Sequence, residues 1–93
     1  MNIALIGLGM VAATHVTAIR SSDQGLKLHG VLGRDPARTA TFAVENRTRA
    51  YASVAEIAED STIDFVILAT PPDARLEIVE TLVATKKPIL MEK

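Results

Sequence analysis

The apolar run Ile3-Ala4-Leu5-Ile6 leads directly into Gly7-Leu8-Gly9-Met10-Val11-Ala12. A strand that ends in a G-x-G-x-x-A turn admits few folds, because the turn must bend sharply and then start a helix packed close to the strand it has left. The first glycine allows the bend. The second lets backbone approach a pyrophosphate with no Cβ in the way, and the small Ala12 lets helix and strand pack closely. The helix N-terminus, with its unpaired N–H groups and positive dipole end, then faces the ligand. Short glycine motifs of this kind also occur by chance, so the reading depends on the rest of the chain.

Beyond the turn, strands and helices alternate regularly. A helix from about Met10 to Arg20 places Ala12, Val16 and Ile19 on one face, and Ser21 to Gly25 is a polar break. A second strand covers Leu26 to Leu32, where Lys27 and His29 alternate with Leu26 and Leu28. The next helix takes Asp35 as N-cap and Pro36 at its first position and ends near Asn46. A short strand at Arg49 to Tyr51 precedes Ser53-Val54-Ala55-Glu56, a capping-box pattern. Phe65 to Ala69 is continuously apolar, as a parallel strand buried on both faces should be, and Thr70-Pro71-Pro72 ends it. Asp73 caps a last helix with Leu76, Val79, Leu82 and Val83 as its expected buried face and Lys86 and Lys87 at its negative end. Pro88 to Met91 is the fifth strand.

Five strands alternating with helices predict an α/β fold: a Rossmann-like parallel sheet in the order 3-2-1-4-5, with helices on both faces and right-handed crossovers. The 93 residues make one dinucleotide-binding domain, residues 1–93, expected to be a fragment of a larger two-domain protein. The sixth strand usual in such domains and a C-terminal substrate domain are absent from this expectation.

Composition removes other classes. No apolar run reaches the roughly 18 residues of a membrane span. Ten basic and eleven acidic residues are interspersed and only Phe42, Tyr51 and Phe65 are aromatic, so neither a basic stripe nor a stacking platform for nucleic acid is present. Without cysteine there is no thiolate metal site, and no metal site is expected. The N-terminus lacks a signal-peptide pattern, giving a cytoplasmic expectation.

About 20 residues after the glycine turn, many NAD-binding chains carry an acidic residue that accepts from the adenosine ribose. Here the position reads Gly33-Arg34-Asp35. A guanidinium in place of a carboxylate suits a 2′-phosphate, so Arg34, with Arg38 one helical turn on, favours NADP. The alternative is NAD, with Asp35 taking the ribose.

Together Gly7-Leu8-Gly9 with His15, Gly33-Arg34-Asp35-Pro36, Ala69-Thr70-Pro71 and Lys87-Pro88 leading to Glu92-Lys93 carry a resemblance along the whole chain. The chain resembles the N-terminal domain of the glucose-fructose oxidoreductase, inositol dehydrogenase and rhizopine-catabolism (Gfo/Idh/MocA) family. The resemblance implies that Gly7, Gly9, Met10 and Val11 contact the pyrophosphate, that Thr70 and Pro71 line the crevice, and that Glu92 lies near the nicotinamide ribose. It implies Lys93 as the catalytic residue, facing nicotinamide and substrate and relaying a proton. It further implies that an acidic residue and a histidine come from the absent domain, that the substrate is a sugar, polyol or related small molecule, and that the full-length parent is a homo-oligomer. Arg75 stands where that family often has histidine. The expected activity is hydride transfer between nicotinamide and a secondary alcohol or carbonyl; the 93 residues alone are expected to be inactive. A non-catalytic dinucleotide-sensing module with the same fold is the alternative.

Overall fold

A computed structural model describes residues 1–9, 11–70 and 75–91. In chain order the elements are β1 (Asn2–Ile6), α1 (Ala12–Ser21), β2 (Lys27–Leu32), α2 (Pro36–Glu45), β3 (Arg49–Ala50), α3 (Val54–Glu59), β4 (Phe65–Leu68), α4 (Arg75–Ala84) and β5 (Ile89–Met91). The sheet is five-stranded and parallel throughout, in the order β3-β2-β1-β4-β5, as the alternation of elements predicts.

The central strands are apolar on both faces because each face is covered. Ile3 and Leu5 of β1 point to a core shared with Val16 and Ile19 of α1 and Ala43 of α2. Ala4 and Ile6 point the other way, toward Ile57 of α3 and Leu82 of α4. This two-sided burial puts the opening of the sheet at the strand ends, which is where such sheets bind ligands.

Three local features depart from the sequence reading. The pairing of β1 with β2 slips between Ile3↔Leu28 and Ala4↔Gly30, so His29 is an extra residue in β2. The simple alternation read for that strand therefore breaks, and Leu28 and Val31, three apart, share one core. In α4, Leu76 and Val83 are 69% and 58% exposed instead of buried. The stripe facing the sheet is Leu82 with Ile78 and Val79; at about 100° per residue, Leu76 and Val83 lie roughly 120° and 100° away from Leu82. The proposed cap of this helix, Asp73, lies outside the described residues. In the capping box, Ser53 Oγ accepts from the Glu56 N–H at 3.2 Å as expected, but the Glu56 carboxylate reaches one residue further back, to the Ala52 N–H at 3.3 Å.

Two helices close on a left-handed residue that is not glycine. Arg47 after α2 and Lys86 after α4 adopt φ of 53° and 60°, and each allows the reverse hydrogen-bond pair that closes a helix C-terminus. Arg47 and Thr48 N–H donate to Val44 and Ala43 carbonyls, and Lys86 and Lys87 N–H donate to Val83 and Leu82 carbonyls. Lys87 also donates from Nζ to the Asp60 carbonyl at 2.7 Å, a loop contact and not the helix-end contact its position suggested.

Candidate cofactor site

The carboxyl ends of β1, β2 and β4 are fastened together by backbone. The Gly7 N–H donates to the Leu32 carbonyl and the Ala69 N–H to the Ile6 carbonyl, both at 2.8 Å. Gly7 has φ of +104°, and a Cβ there would stand 2.7 Å from the Ala69 carbonyl carbon and oxygen. Glycine is thus required both by the bend and by the closeness of the chain leaving β4. Gly9 differs: a Cβ at this exposed position would meet nothing within 4 Å among the described residues. Its missing side chain leaves space beside the start of α1, as a backbone-to-phosphate approach needs.

Helix α1 opens into that space. No described side chain caps its N-terminus at Val11, and its first turn carries no acidic residue. Ala12, 1% exposed, lets the helix sit directly on the sheet. Val11, 41% exposed, is at the mouth. An uncapped helix start, with its amides and dipole directed outward, is suited to an anionic group.

Across from Gly7 is Thr70, whose N lies 3.0 Å from the position of a Gly7 Cβ. Thr70 is 8% exposed, and its Oγ1 has no hydrogen-bond partner among the described residues. A buried hydroxyl left unpaired costs about 1–3 kcal/mol, so its persistence at a ligand crevice points to a bound partner. The Thr70 carbonyl accepts from Arg75 Nε at 3.0 Å, so this side chain holds the end of β4 in place.

At the end of β2, Arg34 is exposed, and no described hydrogen bond or ion pair engages its guanidinium. Asp35 is the N-cap of α2: its Oδ1 accepts from the Ala37 N–H at 3.0 Å. Arg38 turns toward the glycine loop, donating to the Leu8 carbonyl through Nη2 at 2.8 Å and Nε at 3.3 Å. Thr39, 1% exposed, accepts from the Gly33 N–H and donates to the Asp35 carbonyl, each at 2.9 Å. Sequence reasoning missed Thr39. Its signal was a threonine one turn before Ala43 on the buried face of α2, able to bond the carbonyl four residues back. Of the other site residues read from sequence, Met10, Pro71, Glu92 and Lys93 lie outside the described residues.

The perturbed titratable groups lie elsewhere, toward the amino ends of β1 and β4. The Tyr51 ring lies against Gly30, and its hydroxyl donates to Asp60 Oδ2 at 2.6 Å. Burial pushes this phenol well above its ordinary value, and the Asp60 hydrogen bond and charge add to the shift. Asp60 is held well below the usual carboxylate range, first by the Thr62 hydroxyl at 2.5 Å, then by Tyr51 and the Thr62 N–H. His29 meets Thr62 Oγ1 at 3.0 Å, and Arg49 lies 3.6 Å from Asp60 and over the Tyr51 ring. The next residues tie this cluster to the sheet: the Thr62 carbonyl accepts from Asn2 Nδ2 and the Asp64 carboxylate from the Asn2 N–H. This network locks α3 and its following loop under the sheet and has no part in the crevice. Among the described residues, no group of His, Asp and Glu could hold a metal ion, and no helix is long and apolar enough to cross a membrane.

The family model for Gfo/Idh/MocA proteins, described as an oxidoreductase family with an NAD-binding Rossmann fold, matches residues 1–93. The chain belongs to this family. It is 29% identical over 94 residues to inositol 2-dehydrogenase 2 of Saccharopolyspora erythraea, covering 100% of this chain and 28% of that protein. Among solved structures, an NAD-binding protein from Listeria innocua superposes with TM-score 0.87 at 27% identity, over 99% of this chain and 27% of that one. GenD2 from gentamicin A biosynthesis, solved in complex with NAD, superposes with TM-score 0.89 at 25% identity, over 100% and 26%. The 93 residues thus span little more than a quarter of the length of these relatives.

Proposed function

We propose that this Gfo/Idh/MocA domain is the cofactor-binding part of a cytoplasmic, homo-oligomeric dehydrogenase that takes NADP in preference to NAD and acts on a sugar or polyol. The observation that carries the cofactor reading is the cradle at the carboxyl ends of β1 and β4, where Thr70 Oγ1 is buried and unpaired beside Gly7. The bound nicotinamide supplies the hydride chemistry, and the protein orients it. In this reading, Gly7, Gly9, Met10 and Val11 present backbone to the pyrophosphate, and Thr70 and Pro71 wall the crevice. Glu92 meets the nicotinamide ribose. Lys93 holds the substrate hydroxyl and moves its proton. The polyol class is supported by the inositol dehydrogenase likeness.

The NADP preference is supported by the pairing of an exposed, uncommitted Arg34 with an Asp35 already engaged in capping α2. A guanidinium about 4 Å from a phosphate charge gains roughly 1 kcal/mol in water and roughly 4 near a protein surface, or about five-fold to several hundred-fold in affinity. Calorimetric titration with NADP and NAD at two salt concentrations tests this. Tighter, salt-sensitive NADP binding that Arg34→Gln reduces to the NAD level is expected; equal or stronger NAD binding by the unaltered chain refutes the preference, and a folded chain that binds neither refutes the cofactor reading.

A further inference from the structure

Leu8 occupies the nominally variable position between the two glycines, yet it is firmly held at both its side chain and its carbonyl. Its side chain is 6% exposed and packs on Gly33, where a Cβ would come within 3.0 Å of Leu8 Cδ1 and 3.1 Å of Cγ. Its carbonyl, which lies outside the strand ladder, accepts from both Nε and Nη2 of Arg38. The adjacent Thr39 fixes Gly33 through the Gly33 N–H and is itself tied to the Asp35 carbonyl. Neighbouring residues of one helical turn therefore hold the β1 loop and the β2 loop at once.

We propose that Arg38 is a positioning residue that fixes the glycine loop through the Leu8 carbonyl, leaving discrimination at the adenosine 2′-position to Arg34. This rests on the cofactor reading above. Two of the five guanidinium N–H groups converge on a carbonyl that would otherwise be orphaned in a nearly buried residue. The Leu8 carbonyl and the Gly9 backbone share a peptide unit, so rotating that unit to satisfy the carbonyl elsewhere would displace the backbone nearest the pyrophosphate. Every dinucleotide has the pyrophosphate, whereas only NADP has the 2′-phosphate. The two arginines therefore differ in signature: loss of Arg38 weakens NAD and NADP alike, and loss of Arg34 weakens NADP alone.

The test is calorimetry of the unaltered chain, Arg38→Met, Arg38→Lys and Arg34→Gln with NAD and with NADP, each sample shown to be folded by its thermal midpoint. Arg38→Met is expected to lower both affinities by roughly tenfold while the NADP:NAD ratio stays within about twofold. Arg38→Lys, which keeps one donor within reach of the carbonyl, should recover part of the loss for both ligands. Should Arg38→Met not fold, Arg38→Lys alone decides, with a smaller parallel loss expected. Loss confined to NADP would make Arg38 a phosphate ligand and overturn the proposal, as would unchanged affinities in a folded variant with a lowered midpoint. An unaltered chain that binds neither dinucleotide overturns the cofactor reading and this proposal with it; binding of both dinucleotides by the Arg38 variants as tightly as by the unaltered chain overturns this proposal alone.

Discussion

Replacing each of the first two glycines by alanine should have opposite consequences. At Gly7 the new methyl group meets the Ala69 carbonyl at 2.7 Å and forces a φ of +104° on an L-residue. The backbone conformation costs about 1–3 kcal/mol, and relieving the overlap by moving β4 away from β1 costs about 1–3 more. A chain of this length has a stability of about 5–14 kcal/mol, so Gly7→Ala should remove a large part of it. With urea m-values of about 1–3 kcal/mol/M, the midpoint should fall by roughly 1–3 M, followed by far-UV circular dichroism. At Gly9 the methyl group meets nothing within 4 Å among the described residues, so the stability of Gly9→Ala should stay within about 0.5 kcal/mol of the original or rise slightly as the unfolded chain loses freedom. Its cost should appear in cofactor affinity instead, at about 1–3 kcal/mol, or roughly five- to 150-fold. An unchanged midpoint for Gly7→Ala, or a collapsed one for Gly9→Ala, would refute the division of labour between the two positions.

Thr70→Val replaces an unpaired buried hydroxyl by a methyl group of similar shape, so denaturation should show equal or higher stability, by up to about 1 kcal/mol, while titration shows weaker cofactor binding; a loss of stability would mean that the hydroxyl is paired within the fold. Tyr51→Phe removes a donor from Asp60 and should lower stability by about 1–2 kcal/mol in urea titration; no change would show that the hydrogen bond is energetically idle. Because Asp60 has a lowered carboxyl pKa in the folded state, its contribution is complete above the unfolded value near 3.9 and is lost as pH falls below that value toward the folded one. Urea midpoints between pH 7 and pH 2 should therefore fall less steeply at the acid end in Asp60→Asn than in the original chain, and superimposable acid limbs would contradict the assignment. Lys86→Gly removes a left-handed conformation from a side-chain-bearing residue and should raise the thermal midpoint, with a gain of about 0.5–1 kcal/mol; a lowered midpoint would show that the lysine side chain contributes more than its backbone strain costs.

The architecture could be read from the sequence because its signals are local and repeated. The Ile3–Ile6 run, the Asp35-Pro36 helix start and the apolar Phe65–Leu68 strand each act through neighbouring residues, and strand order follows from crossover handedness. The extra residue at His29 was not legible, since a bulge exists only in relation to the partner strand. The face of α4 was misread because Leu76, Ile78, Val79, Leu82 and Val83 form an apolar arc of about 160°, wider than the sheet covers, and only the position of the sheet selects Ile78, Val79 and Leu82. The ends of α2 and α4 carry Arg47 and Lys86 where a glycine would have signalled the stop. At the candidate site, the tight turn at Gly7 could be read from the glycine spacing, and Asp35 as a cap from its proline neighbour. The grip of Arg38 on Leu8 and of Thr39 on Gly33 joins residues 30 and six positions apart through side chains, and no spacing rule encodes it.

A dinucleotide is expected to lie across the carboxyl ends of β1, β2 and β4. Amide chemical-shift mapping of the isotopically labelled chain during NADP addition tests it most directly. Saturable shifts are expected at Gly7 to Val11, at Gly33 and Arg34, and at Ala69 and Thr70, with the Tyr51–Asp60 network unmoved. Shifts gathered instead around Met1, Asp64 and Ile89, at the opposite strand ends, or no shifts from a folded chain, would contradict it.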